Sequence, residues 1–490
     1  MSADVVIIGA GADELVCAHY LARDGHRVQV LEERTPDAHS DGDPGWIPSR
    51  VIHDLGLARH GLAIRRADPW VAAPLPDGGS LQLWADIPRS VDAIRRLSPR
   101  DAAKWPAFCR RMAQLACLLQ GVYAAPPPDL LSSAPAELAR LAGRALRLRA
   151  LGRRGMEDFL RLLPMSAADW LDDWFECPEL KAVLGATAIL HYRGGPRADG
   201  TGFRMLHHHV GSPAGVFGTA FSNLRSVLSR LPGVRIRGGA AVARITVRAG
   251  QVTGVVLAGG EEIAATRVVS GAGPRRTLLG LVDADWLDPD LARAVQHIRC
   301  RGVVARLVLA LERELPHPTL HVAPSLDYLE RASDEAKHGR VSQAPYLQAR
   351  SAGRTADGRH RVEVHMQYAP YALADGPWND DRRAALGLQA VQAFSRHWPD
   401  LGAVAVERVL APPDLELMEG WPEGQAHHAE LALDQALWMR PLPGWARYRA
   451  PVGGLYLCGA GTHPGGGAAG AAGANAARVI REERPRRAGA

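Results

Sequence analysis

No two cysteines in this 490-residue chain stand at C-x-x-C spacing; the six, at 17, 109, 117, 177, 300 and 458, are scattered, and no histidine pattern completes a zinc site. A disulfide scaffold and a zinc module are therefore not expected, and the cysteines read as small apolar side chains of a reducing compartment. No stretch reaches the roughly 18 uncharged apolar residues of a membrane span, and Met1-Ser2-Ala3-Asp4 lacks the basic start of a signal peptide, so a cytoplasmic protein is expected. Charge of one sign is scarce too: 58 Lys plus Arg against 52 Asp plus Glu leave only +6, too small an excess for a protein that lives on phosphate contacts, and nucleic acid is not an expected partner. What is present is the balance of a globular chain, 47% hydrophobic and 22% charged, long enough for two or three cores.

The clearest local pattern lies in the first 34 residues. Val5-Val6-Ile7-Ile8 is a continuous apolar run, as expected of a strand covered on both faces. A glycine turn follows, then a helical pattern with Leu15, Ala18, His19 and Ala22 on one face and Gly25 as its stop, then a second strand, Val28 to Leu31, closed by Glu32. Strand, helix and strand in this order make a βαβ unit and an α/β fold of the doubly wound, Rossmann-like kind. Further on, the stretch from Pro69 to about Leu119 reads as mixed, and Ala124 to Pro128 as an extended spacer. Short β-branched runs at 234–236, 242–247, 252–257, 263 and 268–269 alternate with glycines and read as a small meander. A last buried strand, Leu455 to Cys458, leads into a glycine-dense loop and an Ala-rich helix to about Ile480.

In Gly9-Ala10-Gly11-Ala12-Asp13-Glu14, the first two glycines allow the sharp turn from strand to helix and bring backbone N–H groups against a pyrophosphate. Glu32, 21 residues after Gly11, stands where an acid at the end of the second strand accepts from a ribose diol. The two dinucleotides, flavin and nicotinamide, share this ADP half. The C-terminal glycine loop before a helix start separates them, because free N–H donors and a positive dipole end suit a ring carbonyl that gains charge on reduction.

The chain resembles the phytoene-desaturase-like FAD-dependent oxidoreductases, near the carotenoid desaturases. The resemblance runs through Ala3 to Arg34, Trp174 to Leu180, Gly254 to Leu257 and Pro274 to Leu279. It is densest in Glu430 to Gln435 and in Cys458-Gly459-Ala460-Gly461-Thr462-His463-Pro464-Gly465-Gly466-Gly467. It implies that Gly9, Gly11 and Glu32 hold the ADP half of FAD, that Val242 touches the adenine side, that Gly271 to Gly273 close around the cofactor, and that Gly459, Thr462, His463, Gly465, Gly466 and Gly467 meet the flavin ring. The implied layout is an FAD-binding domain built from 1–68, 221–282 and 451–482, a mixed α+β substrate domain built from 69–220 and 283–450, and a mobile tail, 483–490. Two departures strike the phosphate half: Glu14 stands where the family has glycine, with Arg34 as a candidate cation for it, and residues 37–43 lack the family's glycine pair.

The implied activity is FAD-dependent dehydrogenation or desaturation of an apolar, polyene- or isoprenoid-like small molecule. A nicotinamide-only dehydrogenase accounts for Glu32 but leaves the C-terminal loop idle. A non-redox isomerase or cyclase, or a non-catalytic binding protein on the same fold, accounts for the two departures. No catalytic residue and no metal ligand is assigned. His207-His208-His209 reads as a polar turn, since consecutive side chains diverge too much to chelate one ion. His427 and His428 are candidate acids or bases but more often structural. Six arginines within 138–154, interleaved with leucines, read as a solvated helix face, with peripheral membrane contact as the alternative.

Overall fold

The computed structural model describes residues 3–34, 43–76, 78–129 and 132–483. Residues 37–42, where the glycine pair is wanting, and the tail from 484 on lie outside the described residues. The first unit is β1 (Ala3–Ile8), α1 (Ala12–Arg23) and β2 (Val28–Leu31). β1 and β2 run parallel with Val5 opposite Val28 and Ile8 opposite Leu31. Val5, Val6 and Ile7 are fully buried, which is why the run has no polar alternation. Gly25 carries φ +89° just past α1, a left-handed turn that suits a residue without Cβ.

Around this unit stands a seven-stranded sheet in the order Arg235–Arg237, β2, β1, Glu262–Ser270, Gln251–Leu257, Val242–Arg248, with Leu455–Leu457 also on Glu262–Ser270. Where the sequence pattern suggests separate runs at 263 and 268–269, the structure has one nine-residue strand. Its start pairs antiparallel with Gln251–Leu257, and its end runs parallel to β1 and to Leu455–Leu457. Ile8 and Leu457 therefore both lie opposite Ser270. That register brings the turns after three parallel strands, at Gly9, Gly271 and Gly459, to one carboxyl-end crevice, where ligands bind in open parallel sheets.

A second, five-stranded antiparallel sheet has the order Thr319–Val322, Leu347–Arg354, His360–Gln367, Val304–Leu311, Val404–Leu410. The helix Asp380–His397 covers it with Leu386, Ala390 and Phe394. The stretch read as mixed holds instead a 25-residue helix, Pro99–Tyr123, capped by Ser98. It buries Trp105, Phe108, Met112, Leu115, Leu119 and Tyr123 at helical spacing, and this apolar stripe outweighs the interior Pro106. The helix Pro135–Ala150 leaves Leu138 and Leu146 exposed beside its arginines, while Leu148 and Leu151 pack on the helical core. No described helix is long and apolar enough to cross a membrane.

One expectation is overturned here. His207 to His209 are not a polar turn: they close the helix Thr201–His209, with His207 and His209 buried. The helix faces the glycine loop, and burial against that loop decides their fate.

Candidate cofactor and substrate site

Gly9, Gly11, Gly271 and Gly459 present bare backbone to a common space at the end of the sheet. Gly9 and Gly459 have φ of +97° and +82°, which a side chain would strain. The space is filled by the chain itself. A Cβ on Gly11 or on Gly271 would run into the Glu14 carboxyl; one on Gly459 would lie 2.5 Å from its Oε1, and one on Gly9 3.6 Å from its Cγ. Burial pushes the Glu14 carboxyl up to about 8; Asp13 and Glu32 act in the same direction, and Arg225 opposes them.

Glu32 closes β2 by accepting from the Ala10 N–H at 2.8 Å and the Arg34 N–H at 3.1 Å. The Arg34 guanidinium is not Glu14's partner: it stands 3.6 Å from Glu419, and Arg225 is the cation on the Glu14 and Glu32 side. Val242 opens its strand, buried in one cluster with Ile8, Leu31 and Ala240.

The C-terminal loop forms the other end of the crevice. Thr462 donates to the Gly459 carbonyl at 2.8 Å, and the His463 ring lies against the Leu437 and Val122 carbonyls. Gly465 packs on Leu431 and Arg440, Gly466 on the His427 ring, and Gly467 on His207. Trp46 donates its N–H to the Gly467 carbonyl at 2.9 Å and lines, with Arg66, His208, Val210 and Thr219, a narrow pocket that reaches the His208 ring. The helix that follows, Ala471–Glu482, gives its Gly473 N–H to the Asp13 carboxylate at 3.2 Å.

Sequence reasoning missed the floor of this site. A chain of imidazoles runs from His365 to His191, His427, His208 and His207, with ring centroids 6.0, 5.5, 6.4 and 5.2 Å apart. Burial pushes His365, His191 and His207 down to about 3, and holds His208 and His427 well below the usual imidazole range. The Nε2 atoms of His208 and His427 are buried with no hydrogen-bond partner. Two buried guanidiniums flank the array. Arg204 donates to the carbonyls of Ala188, Leu190 and Leu431; Arg440 donates to those of His427, Ala429, Glu430, Gln435 and Ala460, tying the His427 segment to the glycine loop. Glu430, beside those histidines in sequence, is turned away and held by Arg301 at 2.6 Å through two bonds. Among the described residues, no group of three His, Cys, Asp or Glu side chains could hold a metal ion.

Residues 49–481 match the flavin containing amine oxidoreductase family. The chain belongs to that family. It is 30% identical to the pyridine nucleotide-disulfide oxidoreductase domain-containing protein 2 of Rattus norvegicus, over 97% of this chain and 93% of that protein. It is 26% identical to a hydroxyneurosporene desaturase of Rubrivivax gelatinosus, over 94% and 90%. Among solved structures, an oxidoreductase from Methanosarcina mazei shares the fold, with a TM-score of 0.58 at 15% identity over 98% of this chain and all of that one. Membership in a flavin-containing family answers the choice between flavin and nicotinamide: the cofactor is FAD, and the chain is an FAD-dependent oxidoreductase with resemblance to the carotenoid desaturases.

Tested against FAD, the residues fit only in part. Glu32 closes β2 where the family resemblance expects the adenosine, whereas in the loop expected to meet the flavin ring Gly465, Gly466 and Gly467 are covered by Leu431, His427 and His207. The space expected for a diphosphate is filled by the Glu14 carboxyl, and a carboxyl and a diphosphate cannot share it.

Proposed function

We propose that this flavin-dependent oxidoreductase removes or relocates hydrogen on an apolar, polyene- or isoprenoid-like small molecule, and not on an amine. The observation that carries this reading is the charge of the site. An alkyl ammonium needs an anion or an open aromatic face to replace its water. The groups that act on His208 and His427 are Arg204, Arg440 and other imidazoles, and all of them oppose positive charge. Neutral rings and glycine backbone suit a hydrocarbon better than a cation.

FAD supplies a hydride acceptor when bound. This chain's residues supply the wall: His207 holds the Gly466 carbonyl, the His427 ring backs Gly466, and Trp46 seats on Gly467. Burial and the Arg204 and Arg440 guanidiniums favour the neutral form of the imidazoles, so the rings add no positive charge beside a substrate without polar groups.

The test is anaerobic flavin bleaching in protein loaded with FAD. Polyene or isoprenoid hydrocarbons presented in detergent should reduce the flavin, and primary or diamines should not. Bleaching by amines with no response to hydrocarbons would overturn the reading.

A further inference from the structure

We propose that Glu14 is a built-in competitor for FAD: in the free protein its carboxyl occupies the diphosphate seat, and the cofactor binds only by displacing it. The inference rests on the family's FAD and is independent of the substrate.

Four glycines from three separate turns leave their backbones bare around one point, and bare backbone at a strand-to-helix turn serves close approach to a pyrophosphate. At that point sits a side chain from the chain's own helix. The Glu14 carboxyl reaches from the first turn of α1 back across Gly11 toward Gly271 and Gly459, contacts that span the turns after β1, Glu262–Ser270 and Leu455–Leu457. Gly11, the N-cap of α1, has no side chain to cap with, and the Glu14 carboxyl meets its own backbone N–H in the first turn. Asp13 and Glu32 add negative charge around it, Arg225, 3.9 Å from Glu32, adds positive charge, and the Cys458 thiol is close enough to feel the carboxyl. A diphosphate entering this seat meets the volume of the carboxyl, and the apparent affinity is reduced to the fraction of molecules in which Glu14 has left. The cofactor-free protein is then a filled, folded state, and FAD occupancy follows free FAD concentration.

The experiment strips FAD from the full chain and titrates it back, reading flavin fluorescence and the melting temperature. Glu14→Gly should bind FAD roughly tenfold or more tightly than the native chain, and FAD concentrations that leave the native melting temperature unmoved should raise that of the variant. Glu14→Gln, which keeps the volume of the protonated carboxyl, should bind FAD about as weakly as the native chain. Glu14→Ala replaces the glycine variant if the latter lacks a cooperative transition. Equal or weaker FAD binding in both small variants overturns the proposal, and so does native protein that retains stoichiometric FAD through dialysis. Flavin bleaching by amines would sink the substrate reading and leave this one standing.

Discussion

The His207 ring holds the Gly466 carbonyl at 2.8 Å through Nε2, and its other nitrogen lies 2.6 Å from the Tyr123 hydroxyl. One buried imidazole thus ties the end of the long helix Pro99–Tyr123 to the glycine loop. Replacing His207 by Leu leaves both the carbonyl and the hydroxyl unpaired in an apolar setting. Each such orphan costs about 1–3 kcal/mol, so a clear drop in urea midpoint is expected together with weaker FAD retention. His207→Gln, which can still donate to the carbonyl, should recover part of both. Loss of stability without any change in FAD retention would show that the bond is structural alone.

Gly466 lies so close to His427 that a Cβ would enter the imidazole ring. Its φ is not in the left-handed region, so the penalty is one of contact and not of backbone strain. Gly466→Ala should therefore shift the visible flavin spectrum and lower stability, and Gly466→Ala combined with His427→Ala should recover stability toward the His427→Ala level. Additive losses in the double variant would rule out this contact as the cause.

The buried imidazoles set an acid limit. Burial holds His191, His207 and His365 at about 3 and His209 at about 4, and His427 well below the usual imidazole range, while an unfolded histidine takes up a proton near 6.5. Below that value the unfolded chain binds protons that the folded chain does not, so stability is present above about pH 6.5 and is lost as pH falls toward 4. Urea midpoints at pH 7.5, 6 and 5 should decline steeply. His365→Leu should reduce the slope by close to one proton, about 1.4 kcal/mol per pH unit at most. A slope unchanged in the variant would mean that His365 is already charged in the folded protein.

Glu32 accepts from the Ala10 and Arg34 backbone N–H groups just past β2, where the family resemblance expects the adenosine. In the Glu14→Gly background, where the seat is clear, Glu32→Ala should weaken FAD by about 1.5–3 kcal/mol, roughly ten- to a hundredfold, as expected for a charge-assisted bond to a ribose. Titration by flavin fluorescence checks this. An unchanged constant removes Glu32 from the cofactor site.

How much was legible in the sequence follows from the range of the interactions. The βαβ unit, the turn at Gly9, the stop at Gly25 and the position of Glu32 depend on near neighbours, so periodicity and glycine placement sufficed. The stretch from Pro69 to about Leu119 reads as mixed, and only the buried stripe from Trp105 to Tyr123 shows that a long helix runs through it, past Pro106. The imidazole array had no local signature: His191, His207, His208, His365 and His427 come from four separate stretches, and each alone looks like an ordinary core histidine.

Glu14 marks the boundary between the two kinds of knowledge. The sequence by itself determined that a carboxyl stands in the first turn of the helix after the glycine turn, a place where helix electrostatics favour an anion. Only the tertiary structure decided which way it points, because Gly271 and Gly459, more than 250 and 440 residues away, form the other walls of the space it fills. Without those walls the side chain would be solvated and ionised; enclosed by them, it loses its water, is pushed up to about 8, and fills the space proposed for the diphosphate.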